Sequence, residues 1–308
     1  ANVTIYSGTI NGSVFGGGKG QSKSVSADAL ILGTVQNTNV TINGGSINRI
    51  NEAGGNVYGG GELGLVGALK ALKADPSGIR NFEFTYGSTS VKISGNATSG
   101  DTKIQGNVFG GGKGEDGLDT HPDAPLTTII LGSVASNTNV EISGNVTIGT
   151  LSGNSVVEMG TGDVYGGGEL GIVGSYRDEE TNRIYSGGSS TIVIKGGTIL
   201  DEVYGGGMGT PKNVLSGAIG NATTIVSGNT KINGSVYGGG AYSIVGNKVT
   251  IDRTPQTGGR IDPILTDADN NATVNIVILG GTIGDETRLV SAGSNSLTSS
   301  VGNVFGGG

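Results

Sequence analysis

Val57-Tyr58-Gly59-Gly60-Gly61-Glu62-Leu63-Gly64 returns without a change at Val164 to Gly171, and Val14-Phe15-Gly16-Gly17-Gly18-Lys19-Gly20 returns at Val108 to Gly114. The common pentad, Val-(Phe/Tyr)-Gly-Gly-Gly, starts seven times, at Val14, Val57, Val108, Val164, Val203, Val236 and Val304. Spacing varies from 33 residues (Val203 to Val236) to 68 (Val236 to Val304). Self-similarity of this kind marks a repeat architecture, in which one unit cannot bury its apolar face alone and stacks on its neighbours.

Upstream of each pentad the chain alternates apolar and polar residues. Examples are Val3-Thr4-Ile5, Val40-Thr41-Ile42, Val91-Lys92-Ile93, Val140-Glu141-Ile142 and Ile192-Val193-Ile194. A shorter apolar step follows, as in Thr9-Ile10, Lys103-Ile104 and Lys231-Ile232. Alternation puts both branched residues on one strand face. Each strand is too short to form a core by itself. The pattern therefore predicts an all-β fold: a parallel β-solenoid (β-helix) of about seven coils with loop inserts. Residues 1–308 read as a single continuous Gly-rich repeat domain, and as a fragment of a longer repeat array.

The glycines are expected to act at the corners. Gly16, Gly59, Gly110, Gly166, Gly205, Gly238 and Gly306 each follow the pentad aromatic. A sharp turn with positive φ and a close approach of stacked backbones are both easiest for glycine. Within the pentad, Val and the aromatic are adjacent and face opposite ways, with Val expected inside. Phe15, Tyr58, Phe109, Tyr165, Tyr204, Tyr237 and Phe305 then form a column. An internal stacking ladder is the expectation; a flat platform for sugars is the alternative, which the lack of Trp weakens.

Lys-Gly corners (Lys19, Lys113) alternate with Glu-Leu-Gly corners (Glu62, Glu169), a super-repeat of about 100 residues that predicts charge pairing between coils. The last third keeps the pentad and loses this alternation in residue type. The inserts fall mainly after the pentads and are expected as loops on one side. Ala68 to Ala74 has the composition for two helical turns stopped by Asp75-Pro76.

Composition narrows the function. Glycine is 63 of 308 residues, charged residues are 14% and hydrophobic residues 34%. That Val/Ile/Thr-rich alternation separates the chain from flexible linkers and from collagen, whose glycine falls at every third position. There is no cysteine, so disulfides and thiolate metal sites are excluded. Net charge is −7 with scattered basic residues, so no nucleic-acid partner is expected. No apolar run approaches the length of a membrane span, so no membrane insertion is expected.

Candidate chemistry is sparse. Asp267, Asp269 and Asn271 resemble the first half of a calcium loop, but Ala272 replaces the required glycine and Ile278 the final glutamate. A solvated turn is the plainer reading. Gly111 to Leu118 formally fits a calcium β-roll repeat but lacks the tandem copies that share each ion. His121 is the only histidine and sits in His121-Pro122-Asp123, a loop. No catalytic residue, cofactor or firm metal site is assigned, with calcium as the one ion considered. Parallel β-helices also host polysaccharide-degrading enzymes that use carboxylates. Here Glu62, Glu169 and Asp163 sit at repeated corners, whereas a catalytic pair should be one unrepeated cluster.

The pentad followed by Lys-Gly or Glu-Leu-Gly resembles the very large Gly-rich, adhesin-like repeat proteins of bacterial surfaces, along the whole chain. That resemblance implies an extracellular or cell-surface stalk, adhesin or filament subunit without enzymatic activity. The partners it implies are further copies end to end, or a host or cell-surface glycan or protein.

Overall fold

The computed structural model describes residues 1–21, 33–51, 53–71, 82–95, 101–115, 131–152, 156–157, 160–179, 182–210, 217, 219–246, 248–251, 263–265, 272–284 and 302–307. The chain is an all-β solenoid of seven coils carrying three parallel sheets. The first sheet stacks Asn2–Ile5, Thr38–Ile42, Thr89–Gly95, Asn137–Gly144, Ser189–Ile194, Asn221–Val226 and Val274–Ile278 in that order. The second stacks the short steps from Thr9–Asn11 to Thr282–Ile283, and the third stacks the seven Val-aromatic pairs.

Register is one-to-one between repeat units: Val3 on Val40, Val40 on Val91, Val91 on Val140 and Val140 on Ile192. The inward residues form one continuous core. Val40, Ile42, Ile47, Val57 and their equivalents in the next three coils belong to one buried cluster, which continues in coil 6 through Val226, Ile232 and Val236, where buried Thr224 stands in the place of Val40. A one-residue slip would expose this whole set, so the alternation fixes the register.

Polar ladders flank the core. Thr38, Thr89, Thr138 and Ser190 occupy one buried column, and each hydroxyl donates to the carbonyl of its own coil's first corner glycine, at 2.5–2.6 Å. A second ladder precedes the pentads. The Asn56 side chain accepts from the Asn107 N–H (2.8 Å), Asn107 from Asp163 (2.9 Å) and Asp163 from Glu202 (3.0 Å). Both ladders satisfy backbone groups that a corner would otherwise leave unpaired.

Triglycine serves close approach, not positive φ. None of the described corner-triplet glycines has a positive φ. A Cβ on Gly59 would lie 2.2 Å from the Gly110 carbonyl oxygen of the next coil, and one on Gly112 2.1 Å from that of Gly132. The positive-φ role expected of the triplet falls instead on later glycines, such as Gly20 (66°), Gly114 (74°) and Gly209 (68°).

A fourth recurring element follows each corner. Val35, Val66, Val134 and Val173 bridge in parallel from coil to coil, as do Ile219 and Val245. These residues make their own small buried cluster with Ala222.

Most inserts leave from two places after the corner rather than from one side; others lie between the second and third sheets, as with the Leu151–Ser152 and Val156–Val157 pair in coil 4 and the stretch between Ile283 and Val304 in coil 7. In coils 1, 3 and 5 the insert lies before this valine or isoleucine, between Gly20 and Gly33, Gly114 and Gly132, and Gly209 and Gly217. In coils 2, 4 and 6 it lies after, following Gly67, Gly174 and Gly246. Alternation thus runs through coils 5 and 6, although Met208 and Ala241 have replaced the Lys and Glu of earlier corners.

The even-coil inserts are not loops. Ala68–Ala71 with Phe82–Thr85, Gly174–Glu179 with Asn182–Gly187, and Lys248–Ile251 with Pro263–Leu265 each pair antiparallel. Hairpin then pairs with hairpin, through Phe84 with Tyr176 and Tyr185 with Val249, to give one six-stranded antiparallel sheet. Helical turns expected at Ala68–Ala71 are replaced by a strand, because pairing with Phe82–Thr85 outweighs local propensity. Residues 72–74 lie outside the described residues.

Candidate functional site

Val57, Val108 and Val164 point into the main core, and the neighbouring aromatics lie on the opposite face of the same two-residue strands. All seven rings stack in one ladder, from Phe15 on Tyr58 to Tyr237 on Phe305, with centroids 4.7–5.0 Å apart and planes within 10°. This spacing is the coil rise itself, so each ring contacts the next with no adjustment of backbone. Tyr58, Phe109 and Tyr165 are fully buried, and Met208 and Ala241 pack against the ladder from the corner column. The middle rings are therefore a stacking ladder, not an exposed platform; only Phe305, at 41% exposed, is open.

The corner column lies beside the rings. From coil 2 to coil 6 each member donates its N–H to the third glycine of the preceding coil, as Lys113 does to Gly61 and Glu169 to Gly112, both at 3.0 Å. The expected charge pairing occurs between Lys113 and Glu62 at 3.4 Å. Glu169 instead accepts the hydroxyl proton of Tyr58, reaching past Phe109, which has no hydroxyl. Burial pushes the Glu169 carboxyl up despite that hydrogen bond and the nearby Lys113. Tyr58 also accepts from Asn56 Nδ2 at 2.9 Å, and burial followed by the charge of Glu169 holds its hydroxyl proton well above the usual range.

Among the described residues, one unrepeated acidic cluster sits where coils 4 and 5 meet. Asp163, Asp201 and Glu202 have carboxylate oxygens within 4.8 Å of one another. Asp163 accepts from the Tyr165 hydroxyl (3.1 Å) and from the Glu202 N–H (3.0 Å), and Glu202 accepts from the Tyr204 hydroxyl. Desolvation first, and then the negative charge of Asp201, push the Asp163 carboxyl well up. Asp163 therefore keeps its proton to a higher pH than an ordinary carboxyl does. Three carboxylates also form a donor set for a hard divalent cation.

The Asp267, Asp269 and Asn271 candidates lie outside the described residues, as do His121 and the latter part of the Gly111–Leu118 β-roll match. The acidic cluster was only partly legible in the sequence. Asp163 stands out before its pentad, whereas Asp201-Glu202 looks like an ordinary polar pair until the register places Glu202 on Asp163. The fourth column was missed for a related reason. Val66, Val173 and Val245 lie eight residues beyond Tyr58, Tyr165 and Tyr237, but inserts in the odd coils move Val35, Val134 and Ile219 to other offsets.

No family model, no curated protein and no solved structure matches this chain.

Proposed function

We propose that this protein is a non-enzymatic structural or adhesive β-solenoid, a stalk, adhesin or filament element exposed at a bacterial surface. The observation that carries this reading is the use made of the repeated residues. The corner glycines and the buried aromatic rings are accounted for by coil-to-coil packing, and the Ser/Thr column by hydrogen bonds that close the corner within each coil. The material that varies between units is placed in inserts between the stacked strands, and the even-coil inserts that follow the corner are assembled into a flanking sheet. Rigid stacked coils that carry variable side elements suit a spacer that presents binding surfaces. The surface location follows the resemblance of the pentad array to adhesin-like repeat proteins. Binding of the purified chain to bacterial or host cells and to a glycan array tests the adhesive part. Saturable binding supports it; a chain that binds neither leaves only the spacer role.

One observation favours a second reading, a polysaccharide-degrading enzyme. Asp163, Asp201 and Glu202 form an unrepeated carboxylate cluster with one proton-holding member. Incubation with a glycan panel separates the two. New reducing ends or unsaturated uronides that disappear in Asp163→Asn would replace the structural reading with the enzymatic one.

A further inference from the structure

Coils 5 and 6 exchange polar for apolar residues at three stacked positions. In the column whose hydroxyls close each corner, Ser190 of coil 5 donates to the Gly205 carbonyl at 2.5 Å. Ala222 takes that place in coil 6 and has no hydroxyl to donate. In the inward column of the first sheet, Ile192 of coil 5 gives way to Thr224, which is fully buried. One residue beyond the paired Ile199 and Ile232 of the second sheet, buried Leu200 gives way to buried Asn233.

Both intruding side chains are left with a polar atom unpaired. Thr224 Oγ1 and Asn233 Oδ1 are buried and have no hydrogen-bond partner. The cause lies in their columns. Thr224 is paired with Ile192 on one side and Ile276 on the other. Asn233 follows Ile232, which stacks on Ile199 and Ile283, so its column neighbours are Leu200 and Gly284, neither with a side-chain donor. In earlier coils the same column is satisfied: Asn11 Oδ1 accepts from Asn48 Nδ2 at 3.2 Å, and Gln105 Oε1 accepts from the Arg49 N–H at 2.8 Å. A buried polar atom without a partner keeps its full desolvation cost, and the missing corner hydrogen bond adds to it.

We infer that coil 6 is a built-in opening point, whose strands separate from coil 5 before any stacking within coils 2 to 5 gives way. Stability in a stacked array is a sum of unit and nearest-neighbour terms, so penalties gathered in one coil weaken the array at that coil. Coil 6 is paired on both sides in all three parallel sheets, so its weakness comes from its residues and not from an open edge. For the stalk proposed above, this makes one coil the place that yields under load. The inference itself concerns stacking and holds whatever the chain binds.

Native-state hydrogen exchange of the 308-residue chain, read by peptide mass spectrometry, tests this, because exchange reports the free energy of local opening. Asn221–Val226 and Val236–Tyr237 should exchange about tenfold or more faster than Ser189–Ile194 and Val203–Tyr204 of coil 5. Thr224→Val keeps the shape, removes the orphan hydroxyl and should slow exchange in coil 6 by about tenfold. Asn233→Leu, which restores the coil 5 residue, should act in the same direction, and Ala222→Ser, which supplies the corner hydroxyl, should do so by a smaller factor. Val140→Thr copies the defect into coil 4, between Val91 and Ile192, and should speed exchange there with unchanged circular dichroism. Coil 6 strands that exchange no faster than those of coil 5 overturn the inference. So does fast exchange in coil 6 that neither Thr224→Val nor Asn233→Leu slows, since that rate would be fraying from coil 7 and not a property of these residues.

Discussion

Odd and even coils are built from the same corner and differ in where the chain is allowed to leave it. In coils 1, 3 and 5 the exit follows a positive-φ glycine directly after the corner, as at Gly20 and Gly114. In coils 2, 4 and 6 the chain first lays down Val66, Val173 or Val245 and then departs into a hairpin. The physical reason for alternation is one of width. A hairpin occupies two strand spacings and a coil only one, both about 4.8 Å. Hairpins on every coil would collide, and hairpins on every second coil meet edge to edge. The super-repeat of about a hundred residues is this two-coil period.

Breaking what the two coil types share should have the largest effect. Gly110→Ala in an odd coil puts a Cβ 2.2 Å from the Gly166 carbonyl oxygen, and Gly59→Ala in an even coil meets Gly110 at the same distance. Neither backbone can retreat without breaking the ladder, so each should cost about 3 kcal/mol or more. Thermal or denaturant unfolding would check this, and near-equal losses would confirm a common corner.

Breaking what only even coils have comes next. Phe84 is fully buried beside Gly67, on the coil 2 hairpin. Phe84→Ala should cost about 3 kcal/mol and raise hydrogen exchange in the flanking sheet before the three parallel sheets. Uniform loss of protection would show that the two layers do not separate.

The carboxylates of coil 4 set a pH dependence. Asp163 and Glu169 are held above their ordinary values, chiefly by burial, and in Asp163 also by Asp201. Each is therefore bound to its proton more tightly in the folded state. Their contribution is fully present below the unfolded values of about 4 and is lost as pH rises through the folded values. Melting temperature should fall as pH rises above the unfolded values of about 4, and Asp163→Asn should flatten that slope. A melting temperature that rises over this range in the wild type would contradict the assignment.

The smallest effect is expected on the outer face of the first sheet. Glu141 lies 2.7 Å from Lys195 and 3.8 Å from Lys92, with all three side chains partly exposed. Lys195 lowers the Glu141 carboxyl, yet screened pairs of this kind contribute little, so Glu141→Ala should change stability by about 0.5 kcal/mol or less, read from denaturant midpoints.

Seven coils, the inward valines and the stacking of the rings were legible in the sequence, because the pentad and the alternation are local patterns that translate directly into strand faces. Hairpin pairing was not. Leu69 and Phe84 belong to one hairpin, but the signal that makes Ala68–Ala71 a strand is a partner eleven or more residues away, and the local Ala/Leu/Lys composition favours helix. The acidic cluster was legible only in Asp163, since Glu202 meets it only through the register of coils 4 and 5. Triglycine was read correctly as a corner and for half the right reason: the constraint is crowding by the next coil, and positive φ sits elsewhere.

The two-coil period is tested most directly by removing coils. Thr89, Thr138 and Ser190 occupy equivalent positions in coils 3, 4 and 5. Joining Ser88 to Thr138 deletes one coil and brings the hairpins of coils 2 and 4 onto adjacent coils. Joining Ser88 to Ser190 deletes two and keeps the hairpins of coils 2 and 6 a two-coil step apart. Thermal unfolding of both should show the shorter, two-coil deletion melting cooperatively and at the higher temperature. A one-coil deletion that is the more stable of the two, as its greater length alone would favour, would contradict the account.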